Sequence, residues 1–452
     1  MWHADNVAQD VALDRLKGFM IALGVQHRNA AFRGQRLCSL YPRNSSASNP
    51  YRAGEVPVRI RQSGSGYRHA SFGNLVTCGN VWVCPRCAEA KSLARRRQLN
   101  RAADAWLAES LPLYLLTLTI PHTSNDSLQS LLNAKKAAWT SVTRSRAFRK
   151  ARELGQLAGY ASVLQVKYRR PGARTSGWHV HIHVLLFMNE GVDAEMMGNF
   201  EQRVGASWAS ALKRNGVTAE LNDAYGTDLR RITVNAGIGH YLTTIENLDP
   251  DSMLEDLGSI GIESPDPLSS HDQGSLLPMD LFAEFMASRT KWLPGDTARG
   301  RAGKDLFFDL PTHGEVIFDG DRYLTVDEHG TTKPIPLPKK HHPWFEFQLG
   351  IRRMRKTTFS EASPESDELP AKLWNELRVI DKQFDEEAEN TDYEFGTGRD
   401  VYIIDRKSWD KYLAHDDRNR WQILGAAGKG QEQFEKVARR IGVTYRKVES
   451  QA

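Results

Sequence analysis

Residues 177–187 read GWHVHIHVLLF, so His179, His181 and His183 stand at alternate positions and are followed by an apolar run. In a β-strand alternate side chains leave the same face of the sheet, whereas in a helix the three imidazoles would fan around the axis. Same-face neighbours on a strand lie ~6.6 Å apart, so two imidazoles can converge on one divalent ion. We therefore predict a central sheet strand with a metal site at its polar end. The alternative is a histidine-rich strand at a polar surface.

The composition is that of an ordinary soluble globular protein. The chain has 452 residues, of which 40% are hydrophobic and 25% charged, and this length is enough for two or three domains. A net charge of +5 permits a polyanionic partner without requiring one. Three basic clusters lie on predicted helices, where each is either a DNA-facing surface or a solvated face. They are Arg95, Arg96, Arg97 and Arg101, then Arg144, Arg146, Arg149, Lys150 and Arg152, and then Arg352, Arg353, Arg355 and Lys356.

Two features of the sequence bear on the compartment. No run approaches the ~20 apolar residues of a membrane-spanning helix, and the first residues lack the basic and apolar segments of a secretory signal. The four cysteines all precede Ala88, and the chain is not dense enough in cysteine for a disulfide framework. We therefore predict a cytoplasmic protein whose cysteines bind a metal.

Three of the cysteines lie in the segment CGNVWVCPRC at residues 78–87. The turn in a Cys-x-x-Cys pair, here Cys84 and Cys87, directs both sulfurs at one tetrahedral ion, and two more thiolates complete a structural zinc site. Cys78 and Cys38 are the cysteines that remain, so we predict zinc on all four. A thioredoxin-like redox pair is the alternative. The nearby Cys78 and the lack of a preceding parallel-strand pattern disfavour it.

Apolar periodicity outlines strands and helices on both sides of the histidine strand. Their predicted order, β-α-β-β-α-β, is that of an antiparallel, ferredoxin-like split-βαβ layer with helices on one face. We therefore expect an α+β fold. The elements are a strand at 113–120, a helix at 127–154, a strand at 160–168, the histidine strand, a helix at 194–214 and a strand at 231–234.

A short amphipathic helix is predicted directly after the last of these strands. Ile238, Leu242 and Ile245 repeat at helical spacing, and Tyr241 lies beside that apolar stripe. On this pattern alone Tyr241 is a core tyrosine. Near the end of the chain, residues 431–445 are compatible with half of a helix-turn-helix.

Several of these motifs resemble those of a known family, the replication initiators of rolling-circle plasmids within the His-hydrophobic-His (HUH) endonuclease superfamily. The segment at 78–87 resembles that family's cysteine cluster, LTLTIPH at 116–122 its first motif, GWHVHIH at 177–183 its metal motif and HYLT at 240–243 its tyrosine motif. A weaker likeness continues through 282–307. The number and the order of the motifs carry the resemblance.

The resemblance implies a strand-specific DNA nicking and rejoining enzyme. Tyr241 would attack one strand at the plasmid origin, which gives a 5′-phosphotyrosyl intermediate and a 3′-hydroxyl primer, and the strand would be rejoined after rolling-circle replication. His240, assigned with Tyr241 to the catalytic site, stands where the family commonly has Lys. Gly237 stands where some members carry a Glu that serves termination, so the closing step has no obvious base.

The same resemblance makes His181 and His183 the ligands of a catalytic Mg²⁺ or Mn²⁺ ion and ranks His179 third. Gln165 on the adjacent strand lies where relatives often carry Glu. Its amide oxygen can coordinate an ion but brings no charge. This ion would be separate from the structural Zn²⁺ of the cysteines.

The implied partner is plasmid origin DNA, single-stranded or extruded as a hairpin at the nick, with a host helicase and the host replication machinery. Basic side chains would hold its phosphates from the helix predicted at 88–109 and from the strand beside the histidines. These residues are Arg95, Arg96, Arg97, Arg101 and Lys167.

We expect five regions along the chain. They are an N-terminal segment at 1–109 with the four-cysteine zinc-binding module and the basic helix, an HUH endonuclease domain at 110–250, a linker at 251–275, a family-like helical extension at 276–345, and a mainly helical C-terminal region of unknown role at 346–452.

Three other functions fit part of the sequence. A transposase or conjugative relaxase would use the same nicking chemistry on a different DNA. A zinc hydrolase could use a His-x-His pair, but this sequence has no matching downstream Asp-His set. That function would also leave Tyr241 and the cysteines unexplained. A non-catalytic zinc-ribbon DNA-binding protein would bind DNA and cut nothing.

Overall fold

The structure is a computed structural model that describes residues 38–43, 54–62, 68–170, 176–219, 226–233, 275–276, 278, 281–282, 315–319, 322–326, 329–334, 343–351, 354–361, 369–377 and 399–448. The predicted catalytic pair Tyr241 and His240, together with Gly237, lies outside these residues, as does 251–274 of the predicted linker. Among the described helices, none combines the length and the apolar character needed to cross a bilayer.

The described strands follow in chain order. They are β1 (Val56–Gln62), β2 (Arg68–Phe72), β3 (Leu113–Thr119), β4 (Leu157–Arg169), β5 (Gly177–Met188), β6 (Thr227–Ile232), β7 (Ser275–Leu276), β8 (Glu315–Asp319), β9 (Arg322–Val326), β10 (Thr332–Pro334), β11 (Thr357–Phe359), β12 (Arg399–Ile404) and β13 (Tyr445–Lys447).

The described helices interleave with these strands. They are α1 (Pro85–Ala108), α2 (Leu128–Thr143), α3 (Arg146–Glu153), α4 (Ala194–Arg214), α5 (Pro343–Gly350), α6 (Arg406–Ser408) with a π-helical continuation (Trp409–Leu413), α7 (Asp417–Lys429) and α8 (Gln431–Ile441). Residues 369–377 are also helical.

The chain divides into two compact units. The histidine unit comprises residues 92–285 and 342–386, and the cysteine unit comprises 1–91, 286–341 and 387–452. The three histidines of β5 lie in the first unit, and all four cysteines lie in the second.

The histidine unit contains a sheet in the order β11-β4-β5-β3-β6, with β7 paired to the end of β4. All its described neighbours run antiparallel, so the predicted α+β class with an antiparallel sheet is confirmed. β5 lies between β3 and β4, and the order β4-β5-β3-β6 is that of a split βαβ arrangement. The histidine strand therefore has a paired strand on each side.

A buried aromatic cluster covers the part of the histidine face that lies beyond His183 along β5. Phe187 lies on the same face as the histidines, with its ring centroid 5.2 Å from that of Trp106 and 4.9 Å from that of Trp374. Gly159 on β4 permits this packing, because a Cβ there would lie 2.0 Å from Trp374. Burial of a side chain such as Phe187 contributes about 1.5–3 kcal/mol, so the cluster anchors the apolar end of β5.

The opposite face of the sheet is covered by α2, α3 and α4. The ring centroid of Tyr160 on β4 lies 5.4 Å from Trp139 of α2 and 5.6 Å from Phe148 of α3. Phe148 also contacts Phe200 of α4 at 5.4 Å. Tyr160 pairs with Leu186, which alternates with the histidines along β5, so the three helices lie on the face away from the imidazoles.

The prediction of a single helix at 127–154 is wrong, because this stretch forms two helices. α2 ends at Thr143, and Ser145 begins α3 by accepting a hydrogen bond from the backbone N–H of Phe148. A serine side chain that satisfies a free N–H favours a new helix start. Apolar periodicity does not register such a cap, which is why the break was not predicted.

The cysteine unit joins strands that are far apart in the sequence, in the order β13-β12-β1-β2. β1 pairs antiparallel with β12, and Arg59 Nε donates to Asp400 Oδ1 at 2.9 Å across 341 positions of sequence. A buried core with Trp409, Ile423 and Phe434 packs α7 and α8 with this sheet. β8, β9 and β10 form a separate three-stranded sheet.

The stretch predicted as half of a helix-turn-helix, 431–445, begins as the helix α8, which follows α7 after the single residue Gly430. After α8, Gly442 adopts a φ of 89° and β13 pairs with β12. Tyr445 then lies edge-on to Phe434, with ring centroids 4.9 Å apart. No second helix follows within the described residues up to 448, because strand pairing takes those residues.

Candidate metal sites and DNA-binding residues

Three imidazoles stack along β5. Ring centroids are 6.1 Å apart between His179 and His181 and 6.3 Å apart between His181 and His183, and the planes of the second pair lie 11° from parallel. This is the spacing of alternate residues on a strand. His183 is 5% exposed, and His181 is half-buried.

Threonine hydroxyls on β3 orient the two inner imidazoles. Thr117 Oγ1 lies 3.1 Å from Nδ1 of His183, and Thr119 Oγ1 lies 3.0 Å from Nδ1 of His181. The tautomer that donates from Nδ1 to the hydroxyl has its lone pair on Nε2, where a metal ion would bind. The alternation of Thr and Leu along β3 is what brings both hydroxyls to the histidine face.

Gln165 on β4 brings a third donor to the same place. Its Oε1 lies 3.3 Å from Nε2 of His183. Two ligands at right angles around one ion at ~2.1 Å lie ~3.0 Å apart, so this separation fits shared coordination. The ring of His181, with its centroid 6.3 Å from that of His183, has to incline toward it to reach the same ion. No further His, Asp or Glu joins these residues in a cluster of metal-binding dimensions within the described part of the chain.

Both inner histidines are neutral at physiological pH. Burial, together with the positive charge of Lys167, lowers the pKa of His183 to about 3. Burial also lowers the pKa of His181 well below its usual value, with smaller effects from neighbouring charges. A histidine binds metal in its deprotonated form, so the pair needs to lose no proton before it binds an ion.

His122 extends the row of imidazoles from the loop after β3. Its ring centroid lies 3.9 Å from that of His179, at an interplanar angle of 70°. Its Nδ1 lies 3.4 Å from the carbonyl oxygen of Ile120, and its buried Nε2 has no hydrogen-bond partner among the described residues. Burial lowers the pKa of His122. His122 is not among the predicted site residues, although it closes the LTLTIPH motif directly after a strand bordering the histidines.

Lys167 places a positive charge beside this site. It pairs in register with His179, so both side chains leave the same face of the sheet. After burial, the positive charge of Lys167 contributes to the lowered pKa of His181 and of His183. The predicted residues His179, His181, His183, Gln165 and Lys167 therefore lie together on one face.

The predicted DNA-binding arginines all lie on α1 but differ in their surroundings. Arg95 Nη1 donates to Gln98 Oε1 at 2.5 Å, and its guanidinium lies 5.4 Å from the centroid of the Phe359 ring. Arg96 is half-buried, and Arg101 is exposed. The side chain of Arg97 lies outside what the structure describes. Arg101 is thus the member of the set whose exposure suits a contact with DNA phosphates.

The four cysteines form a compact cluster in the cysteine unit. Their sulfurs lie within 4.8 Å of one another, with Cys38 Sγ 3.6 Å from Cys87 and 3.5 Å from Cys84, and Cys78 Sγ 3.7 Å from Cys87. Four sulfurs bound tetrahedrally at ~2.3 Å lie ~3.8 Å apart. None of the four is in a disulfide. The cluster could therefore hold a metal ion such as zinc.

Local structure brings three of these cysteines to the cluster. Asn80 Oδ1 accepts hydrogen bonds from the backbone N–H groups of Trp82 at 2.9 Å and Val83 at 3.1 Å, which folds the chain just before Cys84. Pro85 then begins α1, where a missing N–H costs nothing. Burial raises the pKa of the Cys84 thiol well above its usual value, so metal binding has to displace that proton.

Cys38 is brought to the cluster by side chains from the C-terminal residues. The carbonyl oxygen of Ser39, which has a φ of 60°, accepts a hydrogen bond from Arg420 Nη1 at 3.0 Å. The carbonyl oxygen of Leu40 accepts one from Trp409 Nε1 at 2.8 Å. The sequence gives no local sign of these contacts, because their partners are separated by 381 and 369 positions.

Replacing Thr117 with valine is expected to weaken divalent-ion binding at the histidines. The change keeps the branched shape but removes the hydroxyl that fixes the His183 ring, and loss of such a partner weakens metal binding ~10- to 100-fold. Titration of Mn²⁺ by isothermal calorimetry measures the effect. Thr117→Ser keeps the hydroxyl and is expected to bind Mn²⁺ as the parent chain does. Equal Mn²⁺ affinity in the valine variant would show that the hydroxyl has no part in ion binding.

Comparison with known proteins concerns the segment that contains the histidine strand and three of the four cysteines. Residues 73–213 match the model of a family described as Replication protein. These residues are similar to that family. The resemblance to plasmid replication initiators is thereby confirmed at the level of the family. The replication-protein segment contains Cys78, Cys84, Cys87, Gln165 and the histidine strand, whereas Cys38 precedes it and Tyr241 follows it.

Two individual proteins are similar to part of the chain. One is named "Protein rep", from Streptomyces lividans, and is 23% identical over 196 residues, covering 35% of this chain and 43% of that protein. The other is named "Neomycin resistance protein", from Streptomyces cyanogenus, and is 26% identical over 174 residues, covering 31% of this chain and 39% of that protein. The chain thus spans about two fifths of the length of these relatives. No solved structure matches it.

Proposed function

We propose that this chain initiates plasmid replication by nicking one strand of the origin, as a metal-dependent, site-specific single-strand endonuclease and strand transferase. The observation that carries the proposal is the neutral pair His181 and His183, with Gln165 Oε1 3.3 Å from His183 Nε2, inside the replication-protein segment. Two imidazoles and an amide oxygen can hold Mg²⁺ or Mn²⁺. The sheet β4-β5-β3-β6 is, on this proposal, an HUH endonuclease core.

The residues on the histidine face have distinct parts in this function. His181, His183 and Gln165 would hold the divalent ion, which when bound withdraws charge from the oxygens of the scissile phosphate. Thr117 and Thr119 keep both rings in one orientation through Nδ1. Lys167 adds a positive charge that attracts the DNA backbone to this face. His179 lies between His181 and His122 in the row.

Tyr241 is the proposed nucleophile, with His240 beside it in the sequence. Its phenol oxygen would bond to the scissile phosphorus while the bond from phosphorus to the 3′-oxygen breaks. The phenol proton has to leave, because a phenol titrates near pH ~10 and attacks poorly when protonated. The leaving 3′-oxygen takes up a proton and becomes the primer hydroxyl. The phosphotyrosyl ester keeps the bond energy, so the reverse attack by a 3′-hydroxyl rejoins the strand.

The DNA at the nick is proposed to be single-stranded or a hairpin of the plasmid origin. For strand transfer, the scissile phosphate has to reach the imidazoles on one face of the protein sheet. Single-stranded DNA reaches such a site more easily than base-paired DNA does. Arg101 and the neighbouring arginines of α1 would hold further phosphates. A host helicase and the replication machinery would then use the primer.

The cysteine cluster is proposed to bind Zn²⁺ as a structural ion. Four thiolates form a closed tetrahedral set without an open position for substrate. In this assignment the zinc module and α1 belong to the N-terminal segment at 1–109, the nicking domain extends over 110–250, and the linker at 251–275 separates it from the extension at 276–345. The region at 346–452 then has at least one role, which is to position Cys38 through Trp409 and Arg420.

The test is a nicking assay on a labelled single-stranded oligonucleotide that spans a candidate origin. We expect cleavage in Mn²⁺ or Mg²⁺ and none in chelator. His183→Ala is expected to lower the nicking rate by ~10²- to 10³-fold, because it removes a ligand and its charge-stabilising ion. His415→Ala, an exposed histidine in the cysteine unit, is the matched control and should nick at the parent rate. Full cleavage in chelator would refute the metal-dependent function.

A further inference from the structure

The exposed side of α3 carries basic residues that the proposed nicking site does not use. Arg149 and Lys150 lie three and four positions after Arg146, so both neighbour Arg146 on one side of the helix, and all three are exposed. Arg144, in the cap between α2 and α3, is exposed beside them. We call Arg144, Arg146, Arg149 and Lys150 the α3 basic face.

The stability of the isolated helix does not explain this arrangement. Arg146 and Arg149 lie near the N-terminus of α3, where the helix dipole disfavours positive charge, and the first turn contains no acidic residue. Arg146 also repels Arg149 and Lys150, which are its helical neighbours. Glu153 is the acidic residue of this helix and lies at its far end, one turn after Arg149. The face is thus electrostatically unfavourable until an anion neutralises it.

The helix is held firmly enough to present these charges as a fixed surface. Ser145 caps its N-terminus, and Phe148 is fully buried against Trp139, Tyr160 and Phe200. Because Phe148 points to the sheet, the three cations on the other side point to solvent. Arg214, at the end of α4, reaches Ser141 of α2 at 3.4 Å, one turn before Arg144, and adds another positive group nearby.

The α3 basic face lies on the opposite side of the sheet from the imidazoles. Phe148 contacts Tyr160, whose partner Leu186 alternates with the histidines on β5. A sheet and a helix layer separate the two surfaces, so a strand bound at His181 and His183 does not also contact α3. The partner of α3 is therefore a different stretch of polyanion. Duplex DNA suits it, because its phosphates give a dense line of charge, one per ~1.7 Å of axis.

We propose that the α3 basic face is a second DNA contact, which binds the backbone of double-stranded DNA without reading its sequence. It would keep the duplex attached while an unpaired strand is in the histidine site. The inference rests on the proposed function only for the identity of the DNA. Binding to duplex without divalent ion is independent of nicking.

The test measures the affinity of the full chain for a fluorescent duplex oligonucleotide by anisotropy over a series of KCl concentrations in chelator. The triple variant R146Q/R149Q/K150Q is expected to bind at least ~10-fold more weakly at low salt. The slope of log affinity against log salt should fall by ~2.7, or ~0.9 for each phosphate that the variant no longer neutralises. The matched control R146K/R149K/K150R keeps every charge and should bind like the parent chain.

Each outcome of this test is decisive for the α3 basic face. Equal affinity and equal salt slope in the parent chain and the glutamine variant would overturn the proposal, as would loss of binding in the charge-preserving control. Binding of anionic vesicles but not of duplex would assign the face to a lipid surface and overturn it too. Unchanged thermal unfolding of the glutamine variant shows that a weaker complex is not a folding defect. A chain that binds duplex through α3 but never nicks would refute the proposed function alone.

Discussion

Tyr241→Phe is expected to abolish the covalent adduct with origin DNA while leaving DNA binding intact. The change removes the phenol oxygen, which is the atom that would bond to phosphorus, and keeps the ring. No other atom of the side chain can act as a nucleophile, so the expected loss is complete rather than partial. The measurement is the adduct band formed with a labelled single-stranded oligonucleotide in Mn²⁺, followed by mass analysis of the labelled peptide.

Tyr225→Phe is the matched control for this experiment. It removes a phenol from the same stretch of sequence, sixteen positions before Tyr241. The control should form the adduct at the parent rate. An adduct that persists in Tyr241→Phe and disappears in Tyr225→Phe would move the nucleophile to Tyr225. Loss of DNA binding in Tyr241→Phe would instead show that the ring has a structural part.

Cys84→Ser is expected to abolish metal binding at the proposed zinc site and to unfold the cysteine unit around it. A structural zinc contributes ~10–16 kcal/mol of apparent binding free energy in small zinc domains, which is as large as the ~5–15 kcal/mol stability of most folded proteins. Cys84 is fully buried, so serine also leaves a polar hydroxyl in a site shaped for sulfur. Metal content is measured by mass spectrometry of the intact chain under native conditions.

Hydrogen exchange shows where this loss of structure occurs. Amides of β1 and β12 are expected to exchange much faster in Cys84→Ser, because Trp409 and Arg420 connect the Cys38 loop to the core that packs on these strands. Ser71→Ala, on β2 of the same unit, is a matched control and should keep both metal and protection. A Cys84→Ser chain with full metal content and unchanged exchange would contradict the metal assignment.

Local patterns predicted most of the histidine unit. Strict alternation predicted β5 and its imidazole face, and apolar periodicity predicted the strand β3. Gln165 was identified through the family resemblance and not through a local pattern, and it lies opposite His181 in the register. The strands and their faces were predictable because a strand places side chains by sequence parity alone. The roles of the site residues stay predictions.

Local sequence patterns did not predict the long-range strand pairing or the helix cap. The pairing of Val56 with Ile404 has no local signal, since any alternating strand could have been the partner of β1. Ser145 interrupts a helix through a single side-chain hydrogen bond, which leaves the apolar period intact. His122 reaches the imidazole row through a loop, where periodicity says nothing about direction. Tyr241 and His240 lie outside the described residues, so their place near the histidines stays a prediction.

The pairing of β1 with β12 has a consequence for how the protein is made. A ribosome that has finished β1 and the cysteine segment still has to synthesise the residues up to Ile404 before β1 can pair with β12, and up to Val443 before the shared core is complete. Until then β1 has an open edge toward its missing neighbour, and the loop of Cys38 lacks the side chains of Trp409 and Arg420. Metal loading is thus expected after translation of the distal segment, whereas β3, β4 and β5 can assemble earlier on the nascent chain.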